Sequence, residues 1–273
     1  FSCEIVPEDA KVNVNSAKNI TEKKALFARL YPMFRGVVDP DTRGGDEDRK
    51  AAELILNIID WVDPDDNRSD IDSSGTFVES GGAGENVNYS RWGYEARNAK
   101  MDSVEELRLI DGMTDELFCR FGKELTVYNT DKVNVNEAEL TLLKAMVCDN
   151  LVPGSDPNFV CGLLADEGVF PIDEALALMN VCRELKRSLY TPGFSSEDDF
   201  LQFFGRLPAP LNQIIQINSG ALKPLIGVRS KELRVKSAGW VAGSGYAITA
   251  VIDTASMNYV HWKESGFDAT SGE

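Results

Sequence analysis

Apolar positions recur at helical spacing through most of the chain and change to two-residue alternation near its end. The run TEKKALFARLYPMF puts Leu26, Phe27, Leu30 and Tyr31 on one helical face, with Thr21 placed to cap the start and Pro32 to limit the far end. After Gly44-Gly45, DEDRKAAELILNIIDWV begins with acids, as the helix dipole prefers, and carries Leu54, Ile55, Ile58, Ile59 and Val62 on a core-facing stripe. SVEELRLIDGM opens with a capping box, Ser103 with Glu106; Gly112 closes that helix and Thr114 caps the next, TDELFCRFGKEL. Further helices are predicted over about 137–147, over 172–189 with Leu176, Leu178, Met179, Val181 and Leu185 apolar, and over 196–204 behind Ser195-Ser196. Residues 3–15 alternate like a strand running into a turn at Asn13 and Asn15. Beyond Gly220, LRVKSAGWV, YAITAVIDT and NYVHW read as a three-stranded antiparallel meander that the early strand joins, with the tail from 265 disordered.

Two features do not fit this plain pattern. The pentapeptide KVNVN occurs twice, at 11–15 and 132–136. Between 63 and 98 lies a long polar stretch rich in Asp, Ser, Gly and Asn; a loop of that length inside a compact domain is functional, clamped by an ion, or disordered.

Charge sharpens the second feature. The 273 residues hold 28 Lys and Arg against 44 Asp and Glu, net −16, a field that repels phosphate backbones and anionic headgroups. It therefore argues against nucleic acid and membrane surfaces and favours cations, basic partners or simple solubility. In DWVDPDDNRSDIDSSG, Asp63, Asp65 and Asn67 make the i, i+2, i+4 start of an EF-hand loop. The sixth position is not Gly, and Ser74 stands where a bidentate Glu is needed. The oxygen-rich residue types still suit calcium, with Glu85 and Asn88 able to close a site from the far side of the loop.

Enzyme chemistry finds little support. The paired acids of 60–66 have no nucleophile or oxyanion motif beside them, and no GxSxG, P-loop, GxGxxG or HExxH occurs. The single histidine, His261, sits in YVHW as a packed or edge residue. The turn at 110–116 has the shape of a DNA-binding helical hairpin, but Asp111, Asp115 and Glu116 lie where phosphate would approach. No apolar run of about 18 residues spans a bilayer. The chain opens at Phe1 in strand-like residues and reads as trimmed, with any upstream anchor outside it. The five cysteines match no zinc spacing. Cys119 is expected to pack as a small hydrophobe. In an oxidising compartment one disulfide forms among Cys148, Cys161 and Cys182; we favour Cys148 with Cys161, although the sequence leaves connectivity open.

Taken in order, DWVDPDDN, GGAGEN with Tyr89, NAKMDSVEELRLIDGMTDELF and KVNVNEA resemble the general secretion pathway protein K family, the large minor pseudopilins of bacterial type II secretion systems. KVNVNSA followed by a helix, and LRVKSAGWVAGSGYAITAVI, resemble that family's first periplasmic segment and its closing sheet. The resemblance implies an α+β fold: a pilin-like antiparallel sheet (1–15 and 219–264) interrupted by an inserted helical domain (16–218), with a hydrophobic N-terminal helix removed ahead of Phe1. It implies a periplasmic domain of an inner-membrane-anchored protein, not an enzyme, that initiates pseudopilus assembly at the tip with other minor pseudopilins and contacts secreted substrates. It also implies one or two structural calcium ions held by Asp63, Asp65 and Glu85, with Asp66, Asn86 and Asn88 as further ligands. The family pattern Gly-Ala-Glu-Asp is altered here, since Gly84 intervenes and Asn86 replaces an acid. The alternative of a different class is a periplasmic calcium-dependent module recognising secreted proteins.

Overall fold

The computed structural model describes residues 1–34, 46–72, 77–87, 89–128, 132–162, 168–241 and 244–268. In chain order these form β1 (Ser2–Pro7), β2 (Val12–Asn13), α1 (Ile20–Phe34), α2 (Asp46–Val62), β3 (Asn67–Ile71), β4 (Phe77–Gly84), a 3-10 helix Val104–Leu109, α3 (Asp115–Phe121), β5 (Leu125–Thr126) and β6 (Val133–Asn134). There follow α4 (Leu140–Asp149), α5 (Pro157–Cys161), α6 (Pro171–Ser188), α7 (Glu197–Gly205), α8 (Leu211–Ile214), α9 (Ser219–Leu222), β7 (Ile226–Gly227), β8 (Glu232–Val241), β9 (Ser244–Asp253) and β10 (Tyr259–Asp268).

The alternating C-terminal runs pair as expected into an antiparallel sheet of order β1-β8-β9-β10. Its register sets Ile5 opposite Val235, Val235 opposite Ala250, and Ala250 opposite Trp262. The chain thus leaves the sheet after Pro7 and returns only at Glu232. The helical body lies in between, so the protein is α+β, an antiparallel sheet interrupted by a large helical insertion. One sheet face meets that body: Val251 is fully buried, and the Arg234 guanidinium pairs with Glu8, itself inaccessible. Leu26, Leu30 and Phe34 of α1 and Leu54, Ile55, Ile58 and Ile59 of α2 join Leu143, Met146 and Val147 of α4 in one continuous core.

The repeated pentapeptide is a repeated device. In the first copy Asn15 N–H donates to Asn13 Oδ1, and the Asn15 amide reaches 86 residues onward. Its Nδ2 donates to Met101 O (3.0 Å) and Val127 O (2.8 Å), and its Oδ1 accepts from Met101 N (2.8 Å). In the second copy Asn136 N–H donates to Asn134 Oδ1, while the Asn136 amide donates to Phe194 O and Val228 O and accepts from Phe194 N. Each copy opens a two-residue parallel pairing, β2 with β5 and β6 with β7. Each therefore closes one half of the helical body on itself through a side chain that imitates a backbone strand.

Several boundaries differ from the sequence reading. The early strand ends at Pro7 and a 3-10 turn, Glu8–Ala10, separates it from β2. Helix α1 is capped by Asn19, whose Oδ1 accepts from Thr21 N and Glu22 N, and it runs past Pro32 to Phe34. Proline so near the end forfeits only one helical bond. The Ser103 capping box is present, but the segment it opens winds as 3-10, and Gly112 turns the chain at φ +90° against Leu54 before Thr114 caps α3. The acidic stretch holds a hairpin, β3 with β4. Residues 265–268, expected in a disordered tail, extend β10; 269–273 lie outside the described residues. Cys148 and Cys161 form the disulfide, leaving Cys3, Cys182 and Cys119 free; Cys119 is exposed instead of packed.

Replacing Asn15 with alanine strands two buried carbonyls and one buried N–H. Asn15→Ala should cost roughly 2–4 kcal/mol, whereas Lys24→Ala on the exposed side of α1 should stay within about 0.5 kcal/mol. Urea midpoints compare the two; equal midpoints would show that the amide does not carry the turn.

Candidate metal centre

Helix α2 ends in acid. Asp60 lies in its last turn and Asp63 directly follows it, with Asp63 N–H still bonded to Ile59 O. No basic residue stands in that turn, although the negative end of a helix favours cations. The carboxylates thus add to a potential that is already negative. Burial makes this costly: Asp60 is 3% exposed and Asp63 inaccessible. The hairpin folds back so that β4 leads into a short 3-10 turn, Glu85–Val87, which brings Glu85, 4% exposed, over the same point. Carboxylate oxygens of Asp60, Asp63 and Glu85 all lie within 4.8 Å of one another. Beneath them Trp61 and Tyr89 pack edge to face at 5.2 Å, fixing the segment that carries Glu85 to the end of α2.

Among the described residues one counter-charge stands at this point. Lys23, in the first turn of α1 and 1% exposed, sits 2.6 Å from Asp63 Oδ2, 2.8 Å from Glu79 Oε1 and 3.1 Å from Asp65 Oδ2. Burial alone would lower its pKa, but Asp63, Glu79 and Asp65 outweigh it and hold the ammonium above its ordinary value. The other two carboxylates, and the second oxygen of Asp63, are less well served. Asp60 Oδ1 accepts from Ser69 N (2.9 Å), while among the described residues Asp63 Oδ1 has no donor and neither oxygen of Glu85 has a hydrogen-bond partner. Burial first, then the neighbouring aspartates, pushes Glu85 up to about 9. Burial likewise raises Asp60 to about 7, and raises Asp63 to about 6 despite Lys23.

Of the residues predicted from sequence, Asp63 and Glu85 converge. Asp65 faces Lys23 with one oxygen and accepts Asn67 N with the other (2.8 Å), which outweighs its burial and lowers its pKa. Asp66 Oδ1 accepts from Asn98 Nδ2 (2.7 Å), and Asn86 Oδ1 accepts from Ala96 N (2.6 Å). Asn88 lies outside the described residues. Asp60, Glu79 and Lys23 were not expected at the site. The three-residue step from Asp60 to Asp63, one helical turn, was the available signal for the first. Asn98 is a further addition: at φ +48° its Nδ2 also donates to Asp65 O (2.9 Å), and its buried Oδ1 has no donor.

No protein-family model matches the sequence, and no curated protein matches it. Among solved structures the chain is similar to a chain of the GspK-GspI-GspJ complex of the enterotoxigenic Escherichia coli type 2 secretion system. The TM-score is 0.58 and the identity 12%, over 96% of this chain and 79% of that one. At that identity the likeness is one of fold.

The raised pKa values fix the sign of a pH dependence. A carboxyl whose folded pKa exceeds its unfolded one contributes full stability below the unfolded value, about 4, and loses it as pH rises through the folded value. In chelator, without divalent cations, the protein should therefore melt at progressively lower temperature between pH 5 and 9, through about 6, 7 and 9 for Asp63, Asp60 and Glu85. Thermal melts across that range check it, and a melting temperature that climbs with pH would contradict it.

Proposed function

We propose that this chain is a minor pseudopilin that sits at the tip of a type II secretion pseudopilus and initiates its assembly with other minor pseudopilins. The observation that carries the reading is the interrupted sheet. β1 pairs with β8 across the whole helical body, so that body cannot be shed or swung aside without breaking the sheet. A pilin sheet carrying such a mass has no room for a further subunit above it, and a subunit that cannot be covered can only end a filament. The shared fold with a chain from a complex of three proteins supports assembly with related partners.

The sheet face turned away from the body supports the same reading. Ile5 (60% exposed), the partly exposed Val235 and Trp262 (47% exposed), with Ala250 buried between them, form one apolar row across all four strands. An upstream apolar helix, anchored in the inner membrane before assembly, would lie on that row. The Cys148–Cys161 disulfide suits the oxidising periplasm.

Calcium is the ion proposed for the acidic centre. The donors are hard oxygens, and two atoms each about 2.4 Å from a shared ion lie no more than about 4.8 Å apart, the limit that Asp60, Asp63 and Glu85 satisfy. Among the described residues no donor reaches either oxygen of the buried Glu85, which suits a carboxylate that ligates a cation. When bound, the ion supplies charge neutralisation and a cross-link, with no catalytic step. Asp60 and Asp63 hold the end of α2 and Glu85 the return of the hairpin, so the acidic stretch is tied to the helical body.

Mixing the protein with the other minor pseudopilins at micromolar concentration should give a hetero-oligomer by native mass spectrometry; only free subunits would reject the tip reading. Separately, calcium at about 100 times its Kd should add about 2.7 kcal/mol, a rise of roughly 5–10 °C in Tm for a protein this size. Glu85→Gln should remove most of that rise. A Tm indifferent to both calcium and chelator would reject the ion.

A further inference from the structure

We infer that Lys23 is a tethered counter-ion standing where a second divalent cation would otherwise bind, so that the acidic centre takes one ion per chain. This rests on the calcium reading above and deepens it.

The carboxylates form two groups sharing Asp63. Asp60, Asp63 and Glu85 make one; Asp63, Asp65 and Glu79 make the other, and Lys23 Nζ occupies its centre at 2.6–3.1 Å. The ammonium has three donors for three carboxylates. Its placement is otherwise unfavourable: a lysine in the first turn of a helix opposes the dipole, and a lysine this deeply buried loses its hydration. Only the carboxylates compensate for both. Helix α1 holds the ammonium in register because Leu26, Leu30 and Phe34 on the same helix are fully buried. Of the oxygens around Nζ, that of Asp63 at 2.6 Å already lies within the 2.3–2.6 Å typical of calcium, and those of Glu79 at 2.8 Å and Asp65 at 3.1 Å stand just outside it. Removing the ammonium leaves three carboxylates from two parts of the chain facing one small volume. The first group differs: among the described residues no lysine enters it, and neither oxygen of Glu85 has a partner.

The test is calcium stoichiometry, by isothermal titration and by native mass spectrometry, on the intact chain and two variants. The intact chain should bind one calcium. Lys23→Ala, which opens the volume, should bind two, the second at least 10-fold weaker. Lys23→Met, which fills it with an apolar chain, should bind no more than one. One calcium on both the intact chain and Lys23→Ala overturns the inference and leaves the calcium reading standing. Two on the intact chain does the same, and that measurement needs no variant to fold. No calcium on any of them overturns both. Should Lys23→Ala fold only in millimolar calcium, the ion is replacing the ammonium and the inference is supported.

Discussion

Negative charge at the wrong end of a helix is the constraint around which this protein is arranged. Helix α2 is deeply packed in the core, with Ala51, Ile55, Ile58 and Ile59 at 0% exposure, yet its last turn carries Asp60 and Asp63 follows directly, both buried. Hydrophobic packing of α2 therefore forces two carboxylates into the interior beside a helix end that already repels them. Lys23 from α1 and the Ser69 N–H from the hairpin answer that problem in part, while the Glu85 carboxyl compounds it and is pushed up by burial and by the neighbouring aspartates. Replacing charged clusters by apolar residues is often neutral or stabilising. Retaining five carboxylates here makes sense if their function is to make one arrangement of α1, α2 and the hairpin depend on an ion.

A second constraint sets where that arrangement sits. The two Asn-Val-Asn turns take three backbone groups each from distant segments, Met101 and Val127 in one case, Phe194 and Val228 in the other. Both segments adjoin a serine-capped helix start, Ser103 after Met101 and Ser196 after Phe194. The helical body is thus closed twice by the same chemistry. The second closure ends next to Ser230 and Lys231, where Asp9 Oδ2 accepts the Lys231 N–H and the chain re-enters the sheet. Sheet and body are coupled at that junction, so their relation is set by hydrogen bonds and not by a linker.

What the sequence disclosed follows from how local each cause is. The capping residues Ser103, Thr114 and Ser196, the apolar stripe of α2 and the alternation of β8 and β9 are decided within a few residues, and each is where the pattern puts it. The hairpin was hidden because NRSDI and FVESGGAG lack apolar alternation; its strands are held by an ion cluster on one side and by Phe77 on the core. Asp60 was hidden because the helix and the site claim the same residue. Lys23 was least visible of all: one lysine among five charged or polar residues at the start of α1, given meaning only by partners 40 to 56 positions away.

That last case bears on how such a centre is to be read in any chain. Acidic residues announce a cation but do not reveal how many, because a lysine from elsewhere can supply part of the positive charge without any spacing rule linking it to the acids. The distinction is physical. A tethered ammonium is present at every calcium concentration, so the half of the loop that holds Asp65 and Glu79 is fixed as soon as α1 packs. On the calcium reading proposed above, the half that holds Glu85 waits for an ion from solution, and the ordering of the loop is then divided between a contribution that folding itself provides and one that the surroundings control.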